Sequence, residues 1–338
     1  MTAIVIDPRY TEHDTGPGHP ERPARVTTLL ELTQHLGDEF HPIAARAASG
    51  DELSLVHDPA YVEEVARTQG RDFYAFDADT TTSSRSYETA LLAAGGYLAL
   101  LDAIMAEQEH NGFAFVRPPG HHAERHRAMG FCLFNNVAVG AAYLRRRYGL
   151  ERILIVDWDL HHGNGTQHMF DRDPGVLYVS THQYPYYPGT GGAEEVGSRD
   201  GTGFTVNVPF PAGCGDSEYV DAFERLIVPI AQRYAPEFVL LSAGFDAHAR
   251  DPLGGMQVTE SGFRSMTRML LAVAGESAQG RCAAILEGGY DLQAIRSSAA
   301  AVLDELRGSE TPLSPHEPSR MAPLVDHLIG LQRNFWRL

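Results

Sequence analysis

Short runs of apolar and β-branched residues recur along the chain at 3–6, 113–116, 152–156, 176–179, 204–208, 238–241 and 283–286. Runs of that length, bounded by turn residues, read as strands. Between several of them the apolar positions follow helical spacing instead, over 22–36, 87–108, 135–148, 217–234, 260–276 and 292–306. Strands alternating with helices predict an α/β fold: a single domain built on an open, mostly parallel sheet with helices on both faces. No internal repeat or low-complexity linker interrupts residues 1–308, which are read as one domain. Residues 309–338 form a Pro-containing connection and a predicted helix over 323–336, expected to pack on the body or on a second subunit of a homo-oligomer.

Polar clusters follow the predicted strands. The run 113–116 leads into Arg117-Pro118-Pro119-Gly120-His121-His122, and 152–156 into Asp157-Trp158-Asp159-Leu160-His161-His162. Likewise 176–179 precedes Ser180-Thr181, 238–241 precedes Gly244-Phe245-Asp246, and 283–286 precedes Glu287-Gly288-Gly289-Tyr290. In open α/β sheets the ligand crevice lies outside the C-terminal ends of the strands, so these segments should converge on one pocket.

Read as a continuing strand, Asp157, Asp159 and His161 point to one side, because extended side chains alternate with period two. Joined by Asp246, Asp159 and His161 would give a divalent ion two carboxylates and an imidazole, leaving a coordination position open for water and substrate. Zinc suits that donor set, with Fe(II) as the alternative. Asp157 would orient a histidine. Adjacent histidines on a loop are usually solvated and idle, but His121 and His122 at the same strand-end level become candidates for proton transfer. Tyr290 can offer a phenol where charge develops on a carbonyl oxygen. No Gly-x-Ser-x-Gly element competes with this reading, so metal-assisted amide hydrolysis is the expected chemistry.

Composition narrows the partners. A formal charge of −17 without an extended basic block argues against nucleic-acid binding and is compatible with a cationic substrate. The three cysteines, Cys132, Cys214 and Cys282, are far apart and suggest neither a disulfide framework nor a thiolate metal site. The first residues lack a charged region followed by a long apolar stretch, and no run is expected to span a bilayer. A cytoplasmic protein is the expectation.

The motifs Pro118-Pro119-Gly120-His121-His122, Gly130-Phe131-Cys132, Asp157-x-Asp159-x-His161-His162-Gly163-Asn164-Gly165, Tyr187-Pro188-Gly189-Thr190-Gly191, Gly244-Phe245-Asp246 and Glu287-Gly288-Gly289-Tyr290 resemble, in order, the histone deacetylase and acetylpolyamine amidohydrolase superfamily, in its class II-like bacterial form. The resemblance implies an arginase-like sheet, zinc at Asp159, His161 and Asp246, and His122 as the general base and acid. It further implies His121 as an electrostatic partner bonded to Asp157, Asn164 as the partner of His122, and Tyr290 polarising the scissile carbonyl. Gly130, Phe131, Tyr187, Leu253 and Gly289 would bind substrate in a narrow tunnel, with a rim acid supplied by Asp77 or Asp79. A structural potassium ion is implied at Asp157, Asp159, His161, Ser180 and Thr181, partly through main-chain carbonyls.

Leu253 falls where polyamine-selective relatives carry a glutamate, which favours an acylated lysine in a peptide or protein over a small acetylated polyamine. Two rivals remain: an acetylpolyamine amidohydrolase, and a non-catalytic protein that binds an acylated ligand. A binuclear ureohydrolase is disfavoured, because His248 stands where a second aspartate would be needed.

Overall fold

Every apolar run becomes a strand, and the strands of the main sheet pair only in parallel. The computed structural model describes residues 2–338. The strands are β1 (Thr2–Ile6), β2 (Phe40–Pro42), β3 (Tyr74–Ala75), β4 (Thr81–Thr82), β5 (Asn111–Phe115), β6 (Ile153–Asp157), β7 (Val176–Gln183), β8 (Thr205–Phe210), β9 (Phe238–Ala243) and β10 (Cys282–Leu286). Eight of them form one sheet in the order β2-β1-β5-β10-β9-β6-β7-β8, while β3 and β4 make a separate antiparallel hairpin. Successive residues of a central strand serve opposite faces. Leu154 and Val156 join one apolar cluster, and Ile153 and Ile155 join the other. Helices cover both, as the near-continuous apolar strands require.

Register places the chemistry. Asp157 at the end of β6 lies opposite Ser180 of β7 and Ser242 of β9, and Leu286 of β10 lies opposite Ala243 of β9. The polar segments that follow these strands therefore leave the sheet side by side.

Some local expectations are corrected. The strand expected to run through His161 ends at Asp157. The helix expected over 217–234 is three pieces, Asp216–Ala222, a π-helical stretch Phe223–Ile227, and Val228–Tyr234. Pro229 has no N–H to give, so the regular bond pattern cannot continue through it. The helix Ser86–Met105 is long and apolar enough to cross a membrane by length and composition, against the expectation of no such run, although most of it is buried in the protein. The C-terminal helix Ala322–Gln332 lies against the body. Its Val325 and Leu328 enter the apolar core, and beyond it the Trp336 indole donates to the Gly203 carbonyl at 2.9 Å.

Candidate active site

The carboxylates after β6 bend the chain. Asp157 Oδ1 accepts the N–H of Asp159 at 3.1 Å, and Asp159 Oδ1 accepts the N–H of His161 at 2.9 Å. Each acid thus captures the amide two residues on, a local turn that competes with strand pairing. Asp246, on the loop after β9, accepts the Leu160 N–H at 2.8 Å. His161 Nδ1 then stands 3.2 Å from Asp159 Oδ1 and 3.0 Å from Asp246 Oδ2. Among the described residues these three form the one group of its kind, with ligand atoms within 4.8 Å of one another, all buried. Gly288 closes the trio from below, its N–H donating to Asp159 Oδ2 at 2.7 Å. A Cβ there would lie 2.3 Å from Asp246 Oδ2, so only glycine fits.

The donor set calls for a cation. Burial opposes charge on His161, but the Asp159 and Asp246 carboxylates outweigh it and lift the imidazole pKa to about 9. Burial, and then the Asp159 charge, push Asp246 up to about 7. Buried carboxylates converging on an imidazole nitrogen favour positive charge among them, and a divalent ion matches the same oxygens and nitrogen.

His121 and His122 arrive from the loop after β5, their rings 4.0 Å apart. His121 Nδ1 lies 3.0 Å from Asp157 Oδ2, an oxygen that also accepts the Tyr178 hydroxyl at 3.1 Å. Burial resists its charge, yet Asp159 and Asp157 raise its pKa to about 10. His122 Nδ1 lies 2.7 Å from Asn164 Oδ1, and Asn164 Nδ2 donates to Glu124 at 2.6 Å. Glu124 thereby fixes which way the amide points. His122 must carry its proton on Nδ1, which leaves Nε2 as the basic nitrogen. Burial, and then the neighbouring His121 and His161, hold its pKa well below the usual value.

A cavity of about 230 Å³ opens over these groups. His121, His122, His161 and Tyr290 line it together with Phe131, Tyr187 and Leu253. Gly130 has φ +57°, and a Cβ there would meet the His122 ring at 2.4 Å. Asp79 is part of the lining, whereas Asp77 is not: its carboxylate accepts the N–H groups of Asp79 and Thr80 and shapes the loop instead. Gly289 is also displaced from its expected place. Gly288 lines the cavity, and the Gly289 carbonyl faces away to accept Arg25 Nε at 2.7 Å. Ser180 Oγ pairs with His182 Nδ1 at 2.9 Å, and Thr181 Oγ1 is buried without a hydrogen-bond partner.

Several contributors escaped the sequence reading. Arg25 sits under the Tyr290 ring, 5.1 Å from its centroid, and donates to Glu21 at 2.9 Å. Its signal was present, since it shares the apolar stripe of its helix with Leu29 and Leu32. Asp251 accepts the Tyr290 N–H at 2.6 Å and the Leu253 N–H at 2.9 Å, tying the tunnel wall to the phenol-bearing loop. Tyr186 lines the cavity, stacks on His161 at 5.7 Å, and donates to the Leu253 carbonyl at 2.8 Å. Burial keeps the Tyr290 phenol pKa well above its usual value, so it remains a donor.

A buried Asp-His-Asp trio whose His161 lines a cavity beside paired histidines is, in an α/β fold, a group that could hold a metal ion. The family model for the histone deacetylase domain matches residues 19–306. The chain is 41% identical over 350 residues to histone deacetylase 15 of Arabidopsis thaliana, covering 99% of this chain and 62% of that protein. It is 44% identical over 327 residues to polyamine deacetylase HDAC10 of Homo sapiens, covering 92% of this chain and 48% of that protein. The crystal structure of the HDA15 HD domain aligns with a TM-score of 0.93 at 41% identity, covering 99% of this chain and 95% of that one. The chain belongs to the histone deacetylase family. It spans less than two thirds of the length of either curated relative.

Proposed function

We propose that the chain is a zinc-dependent deacylase that removes acetyl or other acyl groups from the side-chain amine of lysine. The meeting of Asp159 and Asp246 with His161, which lines one cavity together with His121, His122 and Tyr290, carries this reading. Asp159, His161 and Asp246 would hold the ion. When bound, zinc, or Fe(II) in its place, polarises the acyl carbonyl and makes water a better nucleophile at neutral pH.

The chain's own groups do the rest. His122 Nε2 takes the proton of the attacking water and later delivers one to the leaving amine. His121, kept protonated against Asp157, supplies positive charge beside the developing oxyanion. The Tyr290 phenol donates to that oxygen, a contact worth most as negative charge builds. Phe131 and Tyr187 flank the alkyl chain and exclude water, and Asp79 receives substrate N–H groups at the rim. For the structural potassium, the unpartnered, buried Thr181 Oγ1 supports a cation beside Ser180, Asp157, Asp159 and His161, where it would offset the charge of the two aspartates.

A second reading, hydrolysis of acetylpolyamines, draws support from the human relative's name and from the acidic Asp79 in the lining. Leu253 weighs against it, because an apolar wall offers a second ammonium no partner. The test is a metal titration. After chelation and dialysis, activity on an acetyl-lysine peptide should return with a break at one zinc per chain. A break at two, or no return, contradicts the proposal.

A further inference from the structure

Glu287 is fully buried at the end of β10 and lies outside the cavity lining. Its Oε2 accepts the N–H of Gly120 at 2.6 Å and of His121 at 3.1 Å, and its Oε1 accepts the Ser242 hydroxyl at 3.0 Å. Gly120 and His121 begin the turn that carries both histidines, and Ser242 belongs to β9, opposite Ile285 of β10. One carboxylate therefore joins the histidine turn to two central strands. The next residue, Gly288, fixes Asp159 through its own N–H. Glu287 and Gly288, adjacent in sequence, thus hold the proton-transfer pair and the metal-ligand trio from the same point of the backbone.

The turn needs such an acceptor. Buried N–H groups that lack a sheet partner must be satisfied elsewhere, and two of them converge here on one oxygen. A general base must stand within hydrogen-bond reach of the proton it takes, and a misplacement of about 1 Å can reduce rate on the order of a hundredfold.

We propose that Glu287 is a positioning residue for the deacylation reaction: its side-chain oxygens set the distance of His121 and His122 from the Asp159, His161 and Asp246 trio. The proposal rests on the deacylase reading above. What matters is the reach and acceptor capacity of the side chain, while its charge is secondary. Glu287→Gln can keep one oxygen on both N–H groups and turn its amide toward Ser242 Oγ, which then accepts. Glu287→Asp keeps the carboxylate but is one methylene shorter.

The experiment compares both variants with the wild type, metal-loaded, on an acetyl-lysine peptide, and follows hydrogen exchange of the 117–123 segment by mass spectrometry. Glu287→Gln should hold kcat within about threefold. Glu287→Asp should lower kcat on the order of tenfold or more with KM within about twofold, and its 117–123 segment alone should exchange faster. A role carried by the charge orders the variants the other way. Gln as impaired as Asp, or an Asp variant with wild-type kcat, overturns the proposal. If the wild type turns over no acyl substrate, the deacylase reading fails by itself; exchange in 117–123 that Glu287→Asp leaves unchanged then overturns the positioning as well.

Discussion

His122 Nδ1 and Asn164 Oδ1 lie 2.7 Å apart, and the amide that joins them is held in its orientation by Glu124. The hydrogen bond to the neutral Asn164 raises the His122 pKa too little to overcome the burial and the neighbouring imidazoles that depress it. Asn164→Asp should therefore raise it, since a carboxylate in contact favours imidazolium. A base works only when unprotonated, so the acid limb of kcat/KM should move to higher pH by about one unit or more. A pH profile of the variant that overlays the wild type would show that His122 is not the group titrating there.

Tyr290 is held from two sides, its N–H by Asp251 and its ring above the Arg25 guanidinium. Tyr290→Phe leaves both supports and removes only the donor. Its kcat should fall on the order of a hundredfold or more, measured with an acetyl-lysine peptide at saturating substrate. An unchanged kcat would remove the phenol from the mechanism.

The strands and the trio were legible because their signals are local. An apolar run ending in acids and histidines shows both a buried strand and its functional end, as 152–162 does. The means of convergence was not legible, since Asp159 and His161 meet Asp246 through side-chain-capped turns that periodicity does not reveal. Arg25 and Gly289 are separated by 264 positions, and only the packing of the helix Ala24–Leu36 brings them together. Strand β2, at three residues, and the two-residue strands β3 and β4 are too short to show alternation. Asp77 and Asp79 read alike in sequence. Their division into a loop brace and a cavity-lining acid depends on which one accepts the backbone amides.

Leu253 is fixed by Asp251 through its N–H and by Tyr186 through its carbonyl, so its side chain holds a defined place in the wall. Leu253→Glu should shift preference toward acetylpolyamines, by roughly tenfold in the ratio of kcat/KM values, the size of one added charge contact of about 1.4 kcal/mol. Competition between acetylspermidine and an acetyl-lysine peptide measures it. No shift would place selectivity in the rim loops.

His57 uses both ring nitrogens, Nδ1 toward the Glu124 carbonyl at 3.0 Å and Nε2 as acceptor of the Asn135 N–H at 2.9 Å. Only a neutral ring can make both bonds, and burial lowers its pKa to about 4. The unfolded chain takes up this proton below about pH 6.5 while the folded chain refuses it. Its contribution is complete above that pH and declines toward pH 4, by about 2 kcal/mol at pH 5. Denaturant midpoints should fall from pH 7 to 5, and less steeply in His57→Gln. Parallel slopes would show that His57 does not contribute.

The most direct measurement is kcat/KM of the zinc-loaded chain on a matched panel of acyl-lysine peptides, acetylputrescine and acetylspermidine. The expected result is turnover of the acetyl-lysine peptide at least about tenfold above either polyamine, a preference of about 1.4 kcal/mol from the apolar Leu253 wall. Faster hydrolysis of the acetylpolyamines, or no hydrolysis of any acyl-lysine, would contradict it.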